Sequence, residues 1–133
     1  MPIDIALSTN RPTGALELRQ AQPMPGGAGY AALLIVRSGG FAAAVPFLAR
    51  TSGWRDFLAS LDRMILEPGS SARLVACEGE DEITIADGSD GTIAVSGTLH
   101  EKDQDQMLRF RFLAPSAGLP ALLAGVRELV ERP

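Results

Sequence analysis

Residues 51–69, TSGWRDFLASLDRMILEPG, set the main constraint on the fold. Trp54, Phe57, Leu58, Leu61, Met64 and Ile65 recur at helical spacing as one apolar stripe, and Arg55, Asp56, Ala59, Asp62 and Arg63 fall mostly on the other faces. Ser52 is placed to cap the first turn through its hydroxyl. Asp56 lies toward the positive end of the helix and Arg63 toward the negative end. Pro68-Gly69 ends it. The stripe carries the only Trp in the chain. Strand-like segments lie on both sides of it, so a sheet is the surface it is expected to cover.

Before the helix, Ile3, Ile5 and Leu7 alternate with polar or small residues, as in a strand with one buried face. Ala15–Arg19 reads as a second strand, with Leu16 and Leu18 on its buried side. Gln22 to Gly29 (QPMPGGAG) reads as a loop. Tyr30 to Arg37 (YAALLIVR) is almost continuously apolar, the pattern of a central strand buried on both faces. Ser38-Gly39-Gly40 closes a hairpin, because glycine reaches positive φ without steric cost. Phe41, Ala43, Val45 and Phe47 then face one way. The small Ala42 and Ala44 face the other, where another element could approach closely.

After the helix, strands are expected at Ala72–Cys77, Glu82–Ala86, Thr92–Leu99 and Met107–Leu113. Gly97 falls on an inward position, which points to a bulge or bend. His100 to Gln106 (HEKDQDQ) reads as a solvated loop. Leu119, Leu122, Leu123, Val126, Leu129 and Val130 form the stripe of a last helix that opens at Pro115-Ser116. The expected fold is α+β over one domain, residues 1–133: a largely antiparallel sheet of about eight strands with two helices, in the order ββββαββββα. The halves match in element order, but no matching residues establish a duplication.

Composition bounds the function. At 133 residues the chain can bury a core without disulfides or metal. A net charge of −4 argues against non-specific binding to nucleic acid or anionic membrane. Cys77 is the only cysteine, so no internal disulfide forms, and in RLVAC it reads as a small buried hydrophobe. The sequence shows no secretory signal and no apolar run of the ~20 residues that span a bilayer. A cytoplasmic location is the expectation.

The chemistry-bearing residues form no familiar constellation. His100 is the only histidine, so any Ser-His-Asp or Cys-His arrangement would need it, and it reads as a solvated loop residue. Asp87-Gly-Ser-Asp-Gly91 fails the calcium-loop pattern, because its fifth position is Gly91 and its twelfth is Thr98. Gly26-Gly27-Ala28-Gly29 precedes a strand, whereas a phosphate-cradling loop follows one. Neither cofactor nor metal is expected. Arg109 and Arg111 share the outward face of one strand, where they could hold an anion or lie solvated.

The strongest asymmetry is acidic. Nine of the sixteen carboxylates fall between residues 78 and 105, with Lys102 the only cation among them. In an antiparallel arrangement the turns at Glu78–Asp81 and His100–Asp105 share one sheet end, and Asp87–Gly91 lies at the other. Solubility and edge protection explain such residues. A surface for a basic partner also explains them, through Glu78, Glu80, Asp81, Asp103 and Asp105.

Several stretches together resemble a family of small bacterial immunity-type proteins, the group around the WapI-like immunity proteins. They are the aliphatic strand ending in Ser38-Gly39-Gly40-Phe41, the small-residue strand 41–48, the helix with Trp54, Phe57, Leu58 and Leu61, the run 71–78, the strand 91–99 followed by His100-Glu101, and the strand 107–113. The resemblance covers roughly residues 30 to 130. It implies a cytoplasmic, non-enzymatic protein that neutralises a toxin by binding it, and it carries over no functional residues. The expected function is therefore a protein-binding module that inhibits a bacterial toxin. The alternatives are a small acidic scaffold or secretion-chaperone-like homodimer, and an enzyme using carboxylates such as Asp87 and Asp90, or His100. Oligomeric state is open.

Overall fold

A computed structural model describes residues 2–7, 14–77, 80–88, 91–101 and 105–131. The first half holds strands β1 (Ile3–Leu7), β2 (Gly14–Pro23), β3 (Gly29–Ser38) and β4 (Phe41–Arg50), then helix α1 (Thr51–Leu66). The second half repeats the order with β5 (Ser71–Val75), β6 (Glu82–Asp87), β7 (Thr92–Glu101), β8 (Gln106–Pro115) and α2 (Leu119–Glu131). Two 3-10 turns, Pro25–Gly27 and Ser116–Gly118, lead into β3 and α2. This is the ββββαββββα order that the sequence predicts for an α+β fold. The eight strands divide into two antiparallel sheets of four, β1-β2-β3-β4 and β5-β6-β7-β8. In both sheets every strand pairs with its sequence neighbour, as short turns dictate.

The inner faces of both sheets and the apolar stripes of both helices merge into one core. Trp54, Phe57, Leu61 and Met64 of α1 are buried and Leu58 is half-buried. Ile65 lies outside the buried stripe. All six apolar positions expected in α2 are buried. The helices exchange partners: α1 lies on β5, α2 lies on β1, and the two helices touch. Gly125 allows the close approach of α2 to β1, since a Cβ there would come within 2.9 Å of the Ile5 side chain. Arg127 reaches Asp62 across the helix pair at 3.6 Å. Trp54 ties α1 to the first sheet by donating its Nε1–H to the Tyr30 carbonyl at 3.2 Å, with the Tyr30 ring edge-on to its own. The Tyr30 hydroxyl in turn donates to the Val130 carbonyl of α2.

Three local expectations change. Ser52 does not cap α1. Strand β4 runs into the helix without a linker, so Arg50 is the cap residue and makes no side-chain cap bond. The loop before β3 substitutes for it, and the Thr51 N–H donates to the Ala28 carbonyl. Strand β2 continues to Pro23 through a bulge, at which Gln20 takes positive φ and donates its N–H to Asp4 Oδ1 at 2.9 Å. Gly97 marks neither bulge nor bend, because the register Ile83–Gly97–Phe110 is regular. A Cβ at Gly97 would collide with the Glu82 carbonyl and lie 2.9 Å from the Phe110 ring, so the requirement is space.

The outer edges are tied to the opposite half. The Leu48 carbonyl on β4 accepts the Cys77 N–H at 2.9 Å, and the Arg111 carbonyl on β8 accepts the Ser38 hydroxyl at 3.1 Å. Pro46 lies two residues before Leu48, so its position also points away from β3, and no ladder N–H is lost there.

Replacing the fully buried Trp54 with Ala should cost about 3–5 kcal/mol in a denaturant titration. Gly97→Ala should cost about 1–3 kcal/mol by overpacking, although it adds only a methyl group. A loss below about 1 kcal/mol for Trp54→Ala would contradict its place in the core.

Candidate functional site

The β5–β6 and β7–β8 turns lie at the same end of the second sheet, as alternation of antiparallel strands requires. The sequence places His100 in a solvated loop, and the structure corrects this. Strand β7 runs on through His100 to Glu101, and His100 is half-buried. The cause is Asp81, which is only 8% exposed. Its Oδ1 accepts the His100 backbone N–H at 2.8 Å and meets the ring Nδ1 at 2.8 Å. Its own carbonyl accepts the Ala76 N–H at 2.9 Å, which closes the turn between β5 and β6. A carboxylate is buried at tolerable cost only when it is hydrogen-bonded, and these donors supply that.

Because the carboxylate acts as acceptor, the ring proton sits on Nδ1. The Nε2 side then faces Glu80, whose Oε2 is 3.9 Å away. An acid that fixes the imidazole tautomer is one component of a triad. Among the described residues, however, no hydroxyl or thiol is hydrogen-bonded to Nε2. The pair acts as a clamp: it holds two turns together, next to Glu80.

Of the acids singled out in the sequence, Glu80 and Asp105 are exposed at this sheet end. Asp81 points inward to His100, and Glu78 and Asp103 lie outside the described residues. Glu101 is exposed beside them. Asp105 sits in the β7–β8 turn at φ +50°, a conformation that Asp tolerates better than most residues. A groove of about 300 Å³ adjoins this end, between β4 and the β7–β8 hairpin. Its walls are residues 42–45, 99–101 and 106–108. Met107 on its rim is 57% exposed, and the isolated start of a strand pattern gives no signal of that.

The other candidates are scattered. Asp87 lies at the far end of the second sheet, where its Oδ2 accepts the Gly69 N–H at 2.6 Å, and Asp90 lies outside the described residues. Arg109 and Arg111 face outward on β8, beside Thr98 and Ser96 of β7. Cys77 is half-buried in the turn after β5, next to Arg50, rather than within a strand. Among the described residues no group of three or more His, Cys, Asp or Glu could hold a metal ion. Among the same residues no helix is long and apolar enough to cross a membrane.

If the clamp holds the two turns, Asp81→Ala should cost roughly 1–3 kcal/mol, because the His100 N–H loses its buried acceptor. A double-mutant cycle with His100→Ala should show coupling between the two residues, read from urea unfolding. Strictly additive losses would show that the contact carries no stability.

No family model matches this chain, and no curated protein sequence matches it. Among solved structures it resembles the crystal structures of MRP1/MRP2 from Trypanosoma brucei, with a TM-score of 0.58 at 12% identity. The match covers 98% of this chain and 85% of that one, so the two share a fold over almost the whole length.

Proposed function

We propose that this chain is a non-enzymatic protein-binding module, an immunity-type inhibitor that neutralises a basic toxin by covering part of its surface. One observation carries the proposal: the exposed Glu80, Glu101 and Asp105 gather at the sheet end beside the groove between β4 and the β7–β8 hairpin, which Glu101 itself lines together with alanines and an exposed methionine. A wall of alanines and a methionine beside carboxylates combines apolar contact with charge, as protein interfaces do. The charged residues described there, Glu80, Glu101 and Asp105, are all acidic, which favours a partner of the opposite sign, such as a protein that itself binds polyanions. The Asp81–His100 clamp supports this role by fixing the turn that carries Glu80. Inhibition by coverage needs no reaction, only a rigid frame and a complementary surface. The resemblance to immunity-type proteins agrees with it.

The test is co-expression with the product of the neighbouring gene, scored by complex formation and by rescue of growth. The combined variant Glu80→Gln, Glu101→Gln, Asp105→Asn should slow association by about tenfold at low salt and flatten its salt dependence. An unchanged rate and salt slope would show that these acids only solvate the sheet end. A neighbour that neither binds nor is toxic would remove the inhibitor role.

A further inference from the structure

We propose that the outer face of the first sheet docks a second copy of this chain, face to face, about a twofold axis perpendicular to the strands. This surface shares Ala42 and Ala44 with the wall of the acidic groove, extends from there over β3 and β2, and takes a different partner. The register places four rows of residues on the outer face across β2, β3 and β4: Ala15, Arg37, Ala42; Glu17, Ile35, Ala44; Arg19, Leu33, Pro46; and Gln22, Ala31, Leu48. The β3 and β4 members of the last three rows are all apolar, and Leu33 and Leu48 are 38% and 37% exposed. Strand β3 is thus apolar on both faces, the composition of a strand covered on both sides. Only its inner face is covered in the single chain. Ala42, Ala44 and Pro46 on β4 are small, so a second sheet could approach to the ~10 Å spacing of packed sheets.

Charge selects the occupant, and area sets how far the contact must reach. The apolar part of two strands, residues 31–35 and 44–48, measures roughly 10 by 17 Å, about 170 Å² in projection, from ordinary strand spacing and rise. Stable interfaces bury about 800 Å² per partner, so the contact must spread over β2 as well. That brings in Glu17 and Arg19, which form an ion pair at 3.2 Å on the same face. A twofold axis between their rows exchanges the rows. Each Glu17 then lies opposite the second copy's Arg19, Ile35 opposite Leu33, and Ala44 opposite Pro46. Arg37 falls opposite the apolar row of Ala31 and Leu48, so no like charges meet. The face is self-complementary in charge as well as apolar, which is what an isologous contact requires.

Sedimentation equilibrium of the full chain over a dilution series tests this. The wild type should dimerise reversibly. Ala44→Arg should be monomeric, and Glu17→Arg should weaken the dimer at least about tenfold, because cation then faces cation. The charge swap Glu17→Arg with Arg19→Glu should bring the dimer back to within about threefold of wild type, since the pairs re-form with reversed polarity. Circular dichroism of each variant checks the fold, and the swap keeps the test valid if Ala44→Arg fails to fold. A wild type that stays monomeric at its solubility limit overturns the proposal. So does a dimer indifferent to Glu17→Arg, or a swap that restores nothing. Neutralising Glu80, Glu101 and Asp105 should leave the dimer unchanged, which separates this result from the toxin-binding test.

Discussion

Neither sheet buries the helix that follows it in sequence mainly against its own first strand. Helix α1 lies on β5 and α2 lies on β1, and the two helices touch. Each half therefore completes the other's core. The buried Trp54 concentrates this dependence, because its ring is in the core and its N–H is bonded to β3. Tyr30 passes the link on to the last turn of α2 through the Val130 carbonyl. Burial of one large aromatic residue and a short chain of hydrogen bonds thus couple elements a hundred residues apart in sequence.

The same exchange decides which surfaces are open. Strands β1 and β5 are contacted by helices, and β4 and β8 give carbonyls to the opposite half. Tied edges offer little for strand addition, so binding is left to the sheet faces and ends. The two outer faces differ in chemistry. The first is alanine-rich and apolar on β3 and β4. The second is polar, with the Arg73–Glu82 ion pair, Ser96, Thr98 and two outward arginines. The first face, contiguous in apolar residues over two strands, gains by leaving water, whereas the acidic sheet end favours a charged partner through long-range attraction.

Strand alternation and helical stripes are local, so Ile3–Leu7, the β8 pattern and the α1 and α2 faces were legible in the sequence. The split into two sheets was not, because hairpin turns specify neighbours and not where a sheet ends. Nor was the exchange of helices, which depends on contacts distant in sequence. His100 reads as solvated because its partner, Asp81, is 19 residues away and looks like any other acid of an acidic stretch. The run YAALLIVR reads as buried on both faces, and the structure covers one. In RLVAC the strand stops at Val75, because the Cys77 N–H turns to Leu48 on the other sheet. The sequence marks the acidic sheet end through composition, but it does not show that Asp81 is spent inside the fold.

The central claim is that the two halves form one cooperative frame on which the exposed surfaces are carried. Native-state hydrogen exchange across a denaturant series tests it most directly. Reciprocal docking predicts that the slowest amides of α1, α2, β3 and β7 open together, with one free energy equal to that of global unfolding. If the amides of one half opened separately at a distinctly lower free energy, the halves would be independent units, and the reciprocal packing could not be what holds the fold together.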